Sequence, residues 1–222
     1  MLFILICIFC FQQFLFCESQ ITKTINFPNV DKLATVPKEK QREFVCKIEQ
    51  YMNNISMLSC DFTQAVVYKR KLQMSNGKLY YTNIDSVNVK ICLPDLLLFV
   101  KNGVIIVIDT NKKSVSRYSM DYIPITSIFS KQFNVEKNFH SYVVHCDEDS
   151  HTIYITLKTI GATEIVLMFH LYTNTNIKCL AGWSIKDEQR RVTNVIFDQK
   201  SLEVNNSNSF PKDTFDLPAV CK

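Results

Sequence analysis

Glycine is scarce in this chain, with 4 among 222 residues. Phosphate-cradling loops and dinucleotide fingerprints need several closely spaced glycines, so both are excluded. Tryptophan occurs once. The chain carries 25 Lys and Arg against 21 Asp and Glu, a net charge of +4. No basic cluster is interleaved with exposed aromatics, which argues against nucleic acid as a partner. Alternation of strand, helix and strand is also missing, so a parallel sheet is not expected. Neither an internal repeat nor a domain linker can be found.

Catalytic patterns are equally sparse. A nucleophilic hydrolase needs a Ser or Cys with a base in reach, and no G-x-S-x-G elbow is present. The four histidines are His140, His145, His151 and His170. His140 and His145 stand five apart on an expected strand, so they point to opposite faces and suit one metal poorly. His151 adjoins Asp147, Glu148 and Asp149, which reads as a solvated turn, a weak surface metal site being the alternative. No zinc-type spacing of His or Cys occurs after the leader. The expectation is a non-enzymatic protein without metal or cofactor.

What is present is apolar. The chain is 47% hydrophobic, enough for one sizeable core or a core with a ligand cavity. Met1–Phe16 carries no charged side chain and reads as the apolar core of a secretory signal. Residues 1–19 are assigned to that signal, and 20–222 to a single domain with a core at about 38–200 and a loop-rich tail at 201–222. Lipidation at Cys17 is the weaker alternative, because a lipobox needs a small residue where Phe16 stands. Beyond the leader remain Cys46, Cys60, Cys92, Cys146, Cys179 and Cys221. They are scattered without framework spacing and read as buried thiols; whether any pair is left open.

Periodicity orders the rest. Ile21–Val36 reads as a poorly packed N-terminal extension. Phe44, Ile48, Tyr51, Met52 and Ile55 recur at helical spacing, predicting an amphipathic helix over Lys38–Asn54 with Glu49 on its solvated face. From Leu58 the period is two. Asn76-Gly77 reads as a hairpin turn, followed by strands near 78–81 and 87–91. Further strands are expected near 135–146, 152–158, 163–170, 178–186 and 192–198. The economical architecture is mainly β: one antiparallel sheet curled into a barrel or half-barrel, with a helix on one side.

The run Pro94–Ser130 is the most informative. Two apolar strands, Leu96–Val100 and Val104–Ile108, are joined by Asn102-Gly103, a dipeptide suited to a tight hairpin. A polar strand, Ser114–Ser119, follows. Pro124 then opens a short apolar flap, Ile125–Phe129. Several one-sided apolar strands could pack an ordinary core, or could leave the concave face of a half-barrel open to an apolar ligand.

The order of these motifs resembles the periplasmic outer-membrane lipoprotein carriers, the LolA-like family. The resemblance runs through Phe62-Thr63-Gln64, Gly77-Lys78-Leu79-Tyr80-Tyr81, Pro94–Leu98, Asn102-Gly103, Val107-Ile108-Asp109, Ile123-Pro124-Ile125, Leu180–Asp187 and Thr193-Asn194-Val195. It covers roughly Val45 to Asp198. It implies an unclosed β-barrel with an N-terminal helix, a short helical lid and a cavity for lipoprotein acyl chains. The resemblance points to Val87, Val89, Ile91, Leu97, Phe99, Ile106, Ile108, Leu167, Phe169, Trp183 and Ile185 as lining, and to Ile125, Ile128 and Phe129 as lid. It further implies a monomeric periplasmic chaperone. Its partners would be acylated lipoproteins, an inner-membrane ABC-type release complex and an outer-membrane acceptor. A lipid-anchored acceptor and a lipoprotein-sensing regulator of related fold are the alternatives. The chain departs from the family in three places. Asn83-Ile84-Asp85 stands where the family has Arg-Pro-Gly, whose Arg helps latch the lid. Arg190 stands in the turn before the last core strand, where the family often has Gly. Val87 and Val89 stand at aromatic positions of the third strand.

Overall fold

The computed structural model describes residues 27–101, 103–119, 128–160, 163–173, 176–211 and 213–218. The leader, residues 120–127 with the flap residues Ile125–Ser127, the turn residues Asn102 and Gly161, and Cys221 lie outside this set.

One helix and one sheet dominate. Helix α1 spans Lys38–Asn53, close to the periodicity's prediction. It buries Phe44, Val45, Ile48 and Met52, and also Gln41. The Gln41 side chain donates to the Val36 carbonyl (2.8 Å) and accepts from the Val144 amide (3.3 Å). This buried amide thereby ties the helix to the sheet without leaving a polar atom unpaired.

The strands are β1 (Ala34–Thr35), β2 (Met57–Tyr68), β3 (Lys71–Thr82), β4 (Asn88–Leu93), β5 (Leu96–Lys101), β6 (Val104–Asp109) and β7 (Ser114–Ser119). A short helix α2 (Val135–Asn138) precedes β8 (Ser141–Asp147), β9 (Thr152–Lys158), β10 (Glu164–Leu171), β11 (Ile177–Lys186), β12 (Val192–Phe197) and β13 (Glu203–Val204). They form a single 13-stranded sheet in the order β1-β8-β9-β10-β11-β12-β2-β3-β4-β5-β6-β7, with β13 beside β2. Among the described residues every strand pairing is antiparallel. β7 and the β1–β8 pair stand at opposite ends of that order, so the sheet is not closed. Yet Ile105 and Val107 of β6 share one apolar cluster with Val144 of β8 and with Ile48 of α1. One apolar cluster that joins strands so far apart in the order and the helix between them shows the sheet curled around the helix.

The convex face is covered twice. Phe27, Val30 and Leu33 pack on Tyr154, Val166, Met168 and Ala181, so the N-terminal extension is better packed than its polar composition suggests. Leu217 of the tail packs with Phe99, Ile106 and Ile108, and the Lys101 ammonium donates to the Phe215 carbonyl at 3.3 Å.

Two expectations are corrected. Asn76-Gly77 is not a turn: both residues lie within β3, with Gly77 opposite Phe62. A Cβ at Gly77 would overlap the Phe62 ring and come within 2.7 Å of the Cys92 carbonyl oxygen, so this glycine serves a close approach. The turn is instead Lys69-Arg70, both with positive φ (48° and 66°). The expected strand at 135–146 begins as helix α2, because Asn134 caps it through the Lys137 amide (2.8 Å). His140 consequently precedes β8. The loop-rich tail contributes the two-residue β13 and a 3₁₀ turn at Ser207–Ser209.

Candidate functional site

The concave face is the candidate site, and backbone pairing decides which side chains reach it. Directly opposed residues in an antiparallel pair share a face. Val89 pairs with Val100, and Ile91 with Leu98. Val100 in turn pairs with Ile105, and Leu98 with Val107. All six belong to or pack on the concave cluster. Leu97, Phe99, Ile106 and Ile108 are the other parity and lie on the convex face under Leu217. The expectation that these four line the interior is therefore corrected. Lys101 ends their row opposite Val104, so the charged hairpin end marks the outward face. That signal was available in the sequence.

The remaining expected lining residues do converge. Val89, Leu167, Phe169 and Trp183 are buried in the concave cluster, and Val87, Ile91 and Ile185 pack against it partly exposed. Ile128 and Phe129, 1% and 3% exposed, are seated in the same cluster. Ile125 lies outside the described residues. The ring of Phe129 lies 5.0 Å from that of Tyr81 and edge-on to Trp183 at 5.8 Å. Trp183 meets Phe197 edge-on at 5.1 Å. The end of the flap thus places a ring at the centre of an aromatic row.

Helix α1 holds the following segment by polar contacts that periodicity did not reveal. The Asn53 amide donates to the Phe133 carbonyl (3.0 Å), and its oxygen accepts from the Phe133 amide (2.7 Å). Glu49, expected on the solvated face, accepts from the Val135 amide at 2.7 Å. A carboxylate there satisfies an orphan donor at the start of α2 and suits the local dipole. Phe133 and Val135 are themselves buried in the cluster.

The departure at Asn83 acquires a structural meaning. Its side chain donates to the Ile55 carbonyl (3.1 Å), its backbone amide to the Ser56 carbonyl (3.0 Å), and it hydrogen-bonds the Tyr81 phenol. A short amide here pins the end of β3 to the turn after α1. It does not reach across the opening as a long cation could.

Burial disfavours the ionised form of two phenols and one thiol at the interior. Burial pushes the Tyr81 and Tyr51 phenols up to about 12. The Tyr51 hydroxyl accepts from the Leu180 amide (3.1 Å), and its ring stands edge-on to Phe169 at 6.0 Å. Burial likewise raises the Cys60 thiol. The cysteines Cys46, Cys60, Cys92, Cys146 and Cys179 are free; Cys60 and Cys179 are buried, whereas Cys46 is exposed. Among the described residues no cluster of His, Cys, Asp and Glu could hold a metal ion, and no helix is long and apolar enough to cross a membrane.

A separate cleft of about 610 Å³ opens where Gly77 and Pro94 meet, lined in part by Asp61, Thr63, Asn76, Lys78 and Asp198. Its mixed polar lining contrasts with the interior.

The family model for the outer membrane lipoprotein carrier protein LolA matches residues 53–217. The chain belongs to the LolA family. The match takes in every concave strand described above and extends past the sequence resemblance into the tail that covers Phe99. Members of the LolA family are periplasmic carrier or binding proteins. Comparison with curated proteins finds no match. Among solved structures, a putative outer membrane lipoprotein-sorting protein domain from Vibrio parahaemolyticus is similar over 85% of this chain and 97% of its own, at 9% identity and TM-score 0.46. A DUF1329 family protein from Desulfovibrio piger is similar over 82% and 98%, at 10% identity and TM-score 0.45. A LolA superfamily protein from Nitrosomonas europaea is similar over 77% and 96%, at 9% identity and TM-score 0.43.

Proposed function

We propose that this LolA-family protein is a soluble periplasmic chaperone that shelters the acyl chains of lipoproteins on its concave face and carries them from the inner to the outer membrane. The observation that carries this reading is the seating of Phe129 between Tyr81 and Trp183. A ring supplied by a segment outside the sheet is the part of this core best able to leave without unpairing strands. Each methylene withdrawn from water contributes about 0.8 kcal/mol, so a triacylated protein cannot cross an aqueous space unless its chains are covered. Covering must also be reversible. A side chain that fills the site when empty lowers the net gain on loading and favours release. On this reading the protein performs no catalysis. It receives cargo from an ABC-type release complex and surrenders it to an acceptor at the outer membrane.

The reading is tested by incubating purified protein with inner membranes that bear a labelled lipoprotein. Acylated cargo should appear in the soluble fraction with the protein, and an unacylated form should not bind. Equal failure with both forms contradicts the proposal.

A further inference from the structure

Strand direction sorts the loops onto two rims. One rim carries the Lys69-Arg70 turn, the Asp187–Arg191 turn and the loop after β9; the opposite rim carries the turn around Glu148. β3 pairs with β4 only from Lys78 onward. At about 3.3 Å per residue, the β2–β3 hairpin therefore projects roughly 20 Å past the end of β4.

This rim has three properties that packing does not explain. First, it is cationic: Lys69, Arg70, Lys186 and Arg190 are exposed. The counter-charges are few. Glu164 faces Lys158 at 3.9 Å, Glu188 is exposed, and Asp187 is turned inward to the Gln189 and Arg191 amides, each at 2.9 Å. Second, large apolar side chains stand in water among these charges. Leu72 is 58% exposed and Ile160 is 96% exposed. Third, the backbone is strained where the cations sit. Lys69, Arg70 and Arg190 all have positive φ (48°, 66° and 59°), where Asn or Gly would cost less. Strained positions occupied by cations point to a use for the charge.

We infer that this rim is a docking surface for a bilayer rich in anionic lipid. The cations would meet headgroup phosphates, and Leu72 and Ile160 would enter the interfacial layer. Basic charge combined with isolated apolar side chains is the combination that such a surface retains. An acidic protein would be recognised by the charge alone and gives no account of Leu72 and Ile160. The inference does not depend on what the concave face holds.

The test is flotation of the full chain with vesicles of phosphatidylcholine alone or mixed with phosphatidylglycerol. Binding is expected only with the anionic vesicles, and should weaken as salt rises. The double variant Lys69→Asn with Arg70→Gly removes two charges while installing a preferred turn. It should keep or raise the melting temperature and partition about 30-fold more weakly. Leu72→Ser should weaken partitioning without altering the salt dependence. Absence of binding to anionic vesicles overturns the inference, as does equal binding to neutral ones. Unchanged partitioning of the double variant overturns it too, and retention on polyglutamate without vesicle binding would assign the rim to an acidic protein instead.

Discussion

The rings of Phe129 and Tyr81 lie 5.0 Å apart inside the curled sheet, tilted by 40°. Tyr81 belongs to β3, the strand whose end Asn83 fastens to the turn after α1. Phe129 is the last residue of the flap. Their contact therefore joins the fixed wall of the barrel to the part most easily displaced from it.

Truncating the plug should expose this relationship. Phe129→Ala is expected to lower unfolding stability by about 3 kcal/mol, measured by denaturant titration. Trp183 is the chain's single tryptophan, so its emission reports the loss directly and should shift toward that of a wetter indole. Phe129→Glu is expected to weaken acyl-chain binding; unchanged affinity would remove this residue from the lid.

The anchor at Phe133 rests on two hydrogen bonds from one side chain. Asn53→Leu removes both contacts to Phe133 and leaves that residue's amide and carbonyl unpaired. A loss of about 2 kcal/mol in stability is expected. Faster hydrogen exchange at the Phe133 amide than at amides of β10 would localise the effect.

Gly77 serves a close approach, so a methyl group there has to displace something. Gly77→Ala should destabilise by about 1–3 kcal/mol. Pairing it with Phe62→Leu shortens the ring that the new Cβ would meet and should recover part of that loss. Purely additive effects in the double variant would show that Phe62 is not the obstacle.

Alkaline stability follows from the buried phenols. The Tyr51 and Tyr81 values are about 12 in the folded chain against an ordinary 10, because burial disfavours the phenolate. Above pH 10 the unfolded chain releases these protons while the folded chain retains them. The unfolded state then binds fewer protons, so stability falls as pH rises from 10 to 12. Tyr81→Phe should flatten that fall in urea titrations across this range.

The fold was largely legible in the sequence, because its signals are local. Helical spacing from Phe44 to Ile55 located α1, and the Asn102-Gly103 hairpin set the pairing of β5 with β6. Facing was harder. Both strands of that hairpin are apolar on both faces, since the tail covers the convex side with Leu217. Alternation within the two apolar strands therefore could not choose between Ile105 and Ile106; only Lys101, at the end of the outward row, marked the facing. Asn76-Gly77 misled because the dipeptide also suits a strand that must pass close to an aromatic ring. The lid anchor was invisible for another reason: Asn53 and Glu49 act on a backbone 80 or more residues away, and no pattern within the helix encodes that partner.

The central claim is that Phe129 occupies the place that acyl chains take. Titrating the full-length mature protein with a triacylated lipopeptide, while recording Trp183 emission, tests it most directly. Loading should displace Phe129 and produce a saturable change in emission, while the same peptide without acyl chains leaves the spectrum unaltered. An identical response to both peptides, or no response to either, would contradict the account.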